Sequence, residues 1–281
     1  MFQTYSHTQR QLFALCPRKY QYAYAYGLRT LDPAGVPAVF SSMVIHPTLQ
    51  AVHQAGSNWL EAGRAVAATC WQAFCQEVPE FERLAYQQCS LDVARRVVEQ
   101  YAPLVYMDRE EGWVCEGVEV TKEHPRLQCY EGRYRTRVDA IERREGEVMP
   151  IEFKVSSREQ HGILEIDNQL VGHAACCGSN QVMHVFVYTK RESKRVVVQV
   201  MRQLVQIEPD MIAEWELETY GDMLALSQAW ASKVWPKRTE SCNAFGKLCV
   251  YADICRAGGL RGSVVERWKA ILAPPVVKGG E

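Results

Sequence analysis

The sequence predicts an α/β protein in which a mixed central β-sheet is flanked by helices, with an N-terminal helical layer before the sheet and a cysteine-rich C-terminal segment after it. Three observations predict this. The first is helical periodicity in the early part of the chain, seen where Leu91, Ala94, Val98, Tyr101 and Val105 recur. The second is a change of texture at Trp113, after which five runs rich in β-branched and aromatic residues follow, separated by polar segments such as "ERREGE". The third is the order of these segments: helices, three strands, a helix, two strands, a helix.

Taken in order, residues 8–28, "TQRQLFALCPRKYQYAYAYGL", read as a helix stopped by Gly27. Tyr20 and Tyr24 share one face of it and Tyr22 and Tyr26 another, and a strand of alternating tyrosines is the competing reading. Pro33, Gly35 and Pro37 mark a loop, and two long helical segments, 41–78 and 81–107, follow, the second kinked or ended by Pro103. Strands at "WVCEGVEV", "RYRTRVDAIE" and "VMPIEFKV" precede a helix holding Gln169 and His173. Strands at "QVMHVFVYT" and "RVVVQVM" and an amphipathic helix over 209–235 complete the series. No linker rich in Pro, Gly or Ser divides the 281 residues, so 1–281 is expected to form a single domain: a helical layer (1–110), a sheet core (111–208) and a C-terminal helix with an irregular tail (209–281).

Composition limits the function classes. Hydrophobic residues make up 47% of the chain, enough for a substantial core, and the formal net charge of -1 excludes a uniformly basic nucleic-acid protein while leaving room for local positive patches. No apolar run approaches the roughly 20 residues that span a bilayer, and "MFQTYSHTQRQLFALC" lacks a charged start followed by an apolar signal core, so the expected location is cytoplasmic. In that setting the eleven cysteines are expected to stay reduced, most of them in the core and some as metal ligands.

The chemistry-bearing pattern lies in "RVDAIERREGEVMPIEFKVSS". Side chains alternate across a strand, so Glu152 and Lys154 leave one face while Ile151, Phe153 and Val155 leave the other, and a hairpin through "ERREGE" brings Asp139 beside Glu152. Two carboxylates at one spot repel unless a cation lies between them. Hard oxygen donors suit magnesium or manganese, an ion that polarises a phosphodiester and lowers the pKa of a bound water, and a neighbouring lysine stabilises charge developing on phosphate. The alternative is a salt-bridged exposed hairpin.

With "QLVGHAACC" behind the Glu-x-Lys strand and "SSMVIHPTL" in the helical layer, the sequence resembles the PD-(D/E)XK nuclease superfamily, specifically its RecB-like branch, which includes AddB-type nuclease domains and the four-cysteine exonucleases of CRISPR adaptation. The similarity runs from "LFALCPRKYQYAY" to the final cysteine. It implies a restriction-endonuclease-like core and a magnesium- or manganese-dependent exonuclease acting on DNA ends or single strands. It assigns His46, Asp139 and Glu152 to the metal, and Asp139, Glu152, Lys154 and Gln169 to catalysis. An acidic residue of the preceding strand, Glu116 or Glu119, is also implied. The sequence departs from the family where Ser42 precedes and Pro47 follows His46, and where His173 stands in place of a common tyrosine. A catalytically inactive nucleic-acid-binding or assembly module with the same fold is the rival reading.

The resemblance also gives "CNAFGKLCVYADIC" a role: Cys242, Cys249 and Cys255, joined by Cys16 of "ALCPRKY", are implied to hold a 4Fe-4S cluster, with zinc as the alternative. Cys70, Cys75, Cys89, Cys115, Cys129, Cys176 and Cys177 read as core. Arg133, Arg135 and Arg137 on the Asp139 strand, the cluster of Lys190, Arg191, Lys194 and Arg195, and Arg18 and Lys19 with the nearby tyrosines are expected to track a phosphate backbone and stack unpaired bases.

Overall fold

The structure is a computed structural model that describes residues 4–28, 36–80, 83, 86, 88–129, 132–156, 164, 167–192, 195–246 and 248–258. In chain order its elements are β1 (Thr4–Tyr5), α1 (His7–Leu15), α2 (Pro17–Tyr20), α3 (Val36–Phe40), α4 (His46–Gln54), α5 (Trp59–Glu77), α6 (Leu91–Glu110), β2 (Val114–Cys129), β3 (Gly132–Arg144), β4 (Glu147–Ser156), α7 (Asn168–Cys177), β5 (Gln181–Glu192), β6 (Arg195–Gln206), α8 (Pro209–Ser232) and α9 (Ala252–Arg256). The mixed α/β order is the one the sequence predicts. Lys194 and the residues after 258 lie outside the described residues. Among the described residues no helix is long and apolar enough to cross a membrane.

The chain divides into two compact units. The larger, residues 34–128 and 133–218, holds the sheet. Within it β3, β4, β5 and β6 follow one another, with β2 paired to β3. The β3–β4 and β5–β6 pairs are antiparallel and β4–β5 is parallel, so the sheet is mixed. The β3–β4 hairpin closes from Arg144↔Glu147 through two residues of positive φ, Glu145 (47°) and Gly146 (91°), the backbone of a turn whose twist matches that of the strands. A parallel pair needs a crossover, and α7 supplies it between β4 and β5. One face of the sheet, with Ile151, Phe153, Val185 and Val187, shares a continuous core with Leu49, Val52, Phe74, Val97, Val98 and Val105 of α4 to α6.

The smaller unit comprises residues 1–33, 129–132 and 219–281. The Ser6 capping box starts α1, with Gln9 N–H donating to the Ser6 hydroxyl and Ser6 N–H to Gln9 Oε1. The single helix expected over 8–28 is broken at Cys16, which is extended at φ -165° because Pro17 follows it. A π-helical turn, Gln21–Ala25, then ends at Gly27 with φ 65°. The tyrosine faces hold: Tyr20 and Tyr24 stack at 4.9 Å between ring centres, and Tyr22 lies against Tyr26 at 6.1 Å.

Two expected boundaries differ for identifiable reasons. Helix α6 runs through Pro103 to Glu110, because Pro103 sits on the exposed face, where solvent satisfies the freed carbonyl, while buried Val98, Tyr101, Ala102 and Val105 hold the helix to the core. Pro37, expected in a loop, occupies the first turn of α3, where no N–H is required.

A polar network is enclosed in this core. Glu142 has no exposed surface, and its Oε1 accepts from Arg109 at 2.7 Å and pairs with His53 Nδ1 at 2.9 Å. His53 Nε2 meets the Tyr101 hydroxyl at 2.5 Å, while Glu142 Oε2 has no partner among the described residues. Burial alone would raise the Glu142 carboxyl, but His53 and Arg109 outweigh it and hold it below its ordinary range. Replacing Glu142 with Gln leaves the partly buried Arg109 charge without its counter-ion, and is expected to lower the unfolding free energy by about 3 kcal/mol. Because the folded carboxyl titrates below the unfolded value of about 4.3, its stabilisation is complete above that value and is lost as pH falls through the folded one. Urea unfolding as a function of pH should therefore show a shallower acid limb in Glu142→Gln than in the wild type.

Candidate active site where two strands part

The paired ladder of β3 and β4 runs from Arg144↔Glu147 to Ala140↔Ile151. Asp139 and Glu152 are the next residues beyond it. Here the Asp139 carboxylate takes the place of a backbone partner: Oδ2 accepts the Phe153 N–H at 2.7 Å. The other oxygen, Oδ1, faces His46 Nδ1 at 3.5 Å. Burial alone would raise the Asp139 carboxyl, but His46 and then the Phe153 N–H outweigh it and hold it below the usual carboxylate range. Asp139 is therefore an anion at neutral pH.

Glu152 is gripped from α7. Asp167 caps that helix, accepting from the backbone of Gln169 and Leu170, and so fixes Gln169 in the first turn. Gln169 Nε2 donates to Glu152 Oε1 at 2.6 Å, while its Oε1 accepts from Lys154 Nζ at 3.1 Å. One amide thus bridges a carboxylate and an ammonium that stand 3.6 Å apart. One turn along α7, His173 Nε2 lies 3.0 Å from Glu152 Oε2, and its Nδ1 is 2.7 Å from the Thr136 hydroxyl. The close approach of α7 depends on Gly172, where a Cβ would fall 2.9 Å from the Tyr134 hydroxyl and 3.0 Å from Trp215.

His46 reaches the site through an unusual turn. Ser41–Ile45 is π-helical, and the His46 N–H bonds back to Ser41 O, five residues earlier. Pro47, at the start of α4, has no N–H to give the preceding turn, which accounts for the widening. The imidazole then packs edge-on against Phe153 at 6.0 Å.

Of the two acidic residues on β2, Glu116 pairs away from the site with Lys122 and Arg143. Glu119 accepts from Gln50, one turn beyond His46, and pairs with Arg137, two residues before Asp139. Its φ of 52° is a strained value for a residue with a side chain. His184 escaped the sequence reading although it pairs with Glu152 in the parallel β4–β5 register. Burial, and then the Lys154 charge, lower its pKa, so it is neutral at physiological pH.

Other expectations fare differently. The arginines of β3 are not a bare cationic stripe: Arg133 and Arg135 pair with Glu123, and Arg137 with Glu119. Lys190, Arg191 and Arg195 are exposed at the end of the β5–β6 hairpin. Arg18 Nε donates to the Trp235 carbonyl. Of the cysteines read as core, Cys89 and Cys176 are buried, whereas Cys70, Cys75, Cys115, Cys129 and Cys177 are partly exposed.

Among the described residues no group of three or more His, Cys, Asp or Glu side chains is drawn together to hold a metal ion. At the strand parting the available donors are two carboxylates and an imidazole, chemistry that fits magnesium or manganese. Cys16, Cys242, Cys249 and Cys255 all lie in the smaller unit. Burial raises the Cys249 thiol, and the Cys249 N–H donates to the Cys242 carbonyl at 2.7 Å. Soft thiolates suit an iron-sulfur cluster or zinc.

A search of curated proteins finds no match. Among solved structures, a putative exonuclease from Eubacterium rectale is similar at 11% identity and a TM-score of 0.48, covering 96% of this chain and 93% of the other. An alkaline exonuclease, LHK-Exo from Laribacter hongkongensis, is similar at 16% identity and a TM-score of 0.31, covering 69% and 97%. LHK-Exo in complex with dAMP gives 16%, 0.33, 70% and 94%. At such values these likenesses carry no weight for substrate or mode of cleavage. The family model is decisive: that of the PD-(D/E)XK nuclease superfamily matches residues 4–256, nearly the whole described chain, and the protein belongs to this superfamily.

Proposed function

We propose that this protein is a metal-dependent deoxyribonuclease of the RecB-like branch, an exonuclease acting in the cytoplasm on DNA ends or single strands. The observation that carries the reading is the Gln169 amide joining Glu152 to Lys154 beside the ionised Asp139. Asp139, Glu152 and His46 would hold magnesium or manganese, which when bound polarises the phosphodiester and acidifies a water. Lys154, held by Gln169 Oε1, places its charge where negative charge grows on the phosphate during attack. Hydrolysis breaks one phosphorus–oxygen bond; water gives its hydroxyl to phosphorus and its proton to the leaving oxygen.

The test is incubation of the pure protein with end-labelled single- and double-stranded DNA, with and without magnesium or manganese. Metal-dependent shortening from an end supports the reading, and no cleavage under any of these conditions would sink it. Lys154→Ala is expected to cost at least about 100-fold in turnover with an unchanged circular dichroism spectrum, the scale on which a single stabilising donor acts. Asp139→Asn, which removes the anionic charge with little change in volume, is expected to be inactive; wild-type turnover in it would reject the assignment of Asp139 as a ligand.

We further propose that Cys16, Cys242, Cys249 and Cys255 bind a 4Fe-4S cluster that ties the two ends of the smaller unit together. Its support is the resemblance carried by the cysteine-bearing segments of the sequence and the unit these cysteines share. Anaerobically purified protein should be brown and contain iron and acid-labile sulfide. Cys16→Ser and Cys249→Ser should each lose the metal, because a hydroxyl is a far poorer ligand, while Cys89→Ser should keep it. Colourless protein carrying stoichiometric zinc would replace iron with zinc on the same ligands; full metal retention in Cys16→Ser would reject the clasp.

A further inference from the structure

Thr136, His173 and Glu152 form a chain of side chains with almost no contact with solvent, at 5%, 1% and 5% exposure. One ring nitrogen of His173 is set against a carboxylate oxygen and the other against a hydroxyl. An ionised carboxylate only accepts, so opposite the charged form of Glu152 the His173 Nε2, 3.0 Å from Oε2, carries a hydrogen. In a neutral ring the other nitrogen is then an acceptor, and the Thr136 hydroxyl, 2.7 Å away, is the donor that satisfies it. With Gln169 Nε2 donating to Oε1, each Glu152 oxygen has one donor from α7. The plane of the carboxylate is thereby fixed and its remaining lone pairs have set directions.

We propose that Thr136 is a positioning residue: it fixes His173 as the Nε2–H tautomer, and His173 in turn holds Glu152 in the orientation from which it meets a divalent cation. The last step rests on the nuclease reading, whereas the tautomer does not. Thr136 lies on β3 three residues before Asp139, so one strand supplies both a carboxylate of the site and the brace for the other carboxylate. Metal ligands are commonly oriented through such outer hydrogen bonds, whose loss costs about 10- to 100-fold in metal affinity. Here the orienting group acts through an imidazole on a carboxylate. Gln169 and Lys154 both meet Oε1, so without His173 the other oxygen, Oε2, has no donor from α7.

The experiment combines two readouts on the full chain. Nitrogen NMR of protein labelled in its histidines, with the His173 signals assigned by their absence in His173→Gln, reports which ring nitrogen carries the hydrogen. The wild type is expected to show the neutral Nε2–H form, and Thr136→Val a mixture of tautomers. A wild-type ring that is Nδ1–H or doubly protonated would overturn the proposal, whether or not any variant folds. Calorimetric titration with manganese alone is the second readout. Thr136→Val should bind it about 10- to 100-fold more weakly, with Thr136→Ser restoring the affinity, while the KM for DNA stays unchanged. Unchanged manganese affinity in a folded Thr136→Val would overturn the positioning role. A wild type that neither binds manganese nor cleaves DNA would overturn the nuclease reading instead, and the NMR spectrum would still decide the tautomer.

Discussion

The hydrogen bond from the Phe153 backbone to the Asp139 carboxylate is the constraint around which the larger unit is organised. At this point two antiparallel strands stop pairing, and a separation between strands ordinarily strands a backbone N–H in the interior. Asp139 satisfies that donor and remains an anion, and its other oxygen faces a histidine from the helical layer. Phe153 has three duties in one residue: its N–H anchors the carboxylate, its ring fills the core, and its neighbours Glu152 and Lys154 leave the strand on the opposite side.

The opposite face of the same strands shows a different solution to burying charge. Glu142 on β3 is paired with Arg109 and hydrogen-bonded to His53 among apolar side chains, where polar groups are tolerated only when paired. His53 and His46 belong to one helix, α4, so a single element delivers one imidazole to the Asp139 carboxylate and another to that of Glu142. Tyr101 and Phe153 close the space between, their rings perpendicular at 5.9 Å. The helical layer is thus joined to the sheet through charge as well as through apolar area.

Much of this was legible in the sequence because it rests on short-range rules. Period-two alternation placed Glu152 and Lys154 together, and the polar "ERREGE" turn set Asp139 opposite Glu152. The run "QLVGHAACC" made Gln169 and His173 readable as one helix. What escaped depends on contacts remote in sequence. Nothing local says that Glu119 rather than Glu116 pairs with Gln50 and Arg137, on two other elements. The arginines of β3 looked free because Glu119 and Glu123, which neutralise them, lie across a strand pair whose register no local signal fixes. His184 was hidden for the same reason, since a parallel neighbour is reached only through a crossover. The position of His46 turned on whether Pro47 ends a helix or widens it, and propensity alone does not distinguish the two.

The two-residue turn at Glu145 and Gly146 has a consequence for the order in which the protein assembles. It closes a hairpin over a short loop, so β3 and β4 can meet early, before contacts that must wait for distant parts of the chain. That early meeting sets Asp139 against Glu152 while His46, far upstream, and the α7 donors, downstream, have not yet arrived. The hairpin has to close against like-charge repulsion, with only the turn geometry and the apolar face in its favour. Dissolved cations, by screening that repulsion, act on the speed at which the chain folds as well as on whatever the finished site binds.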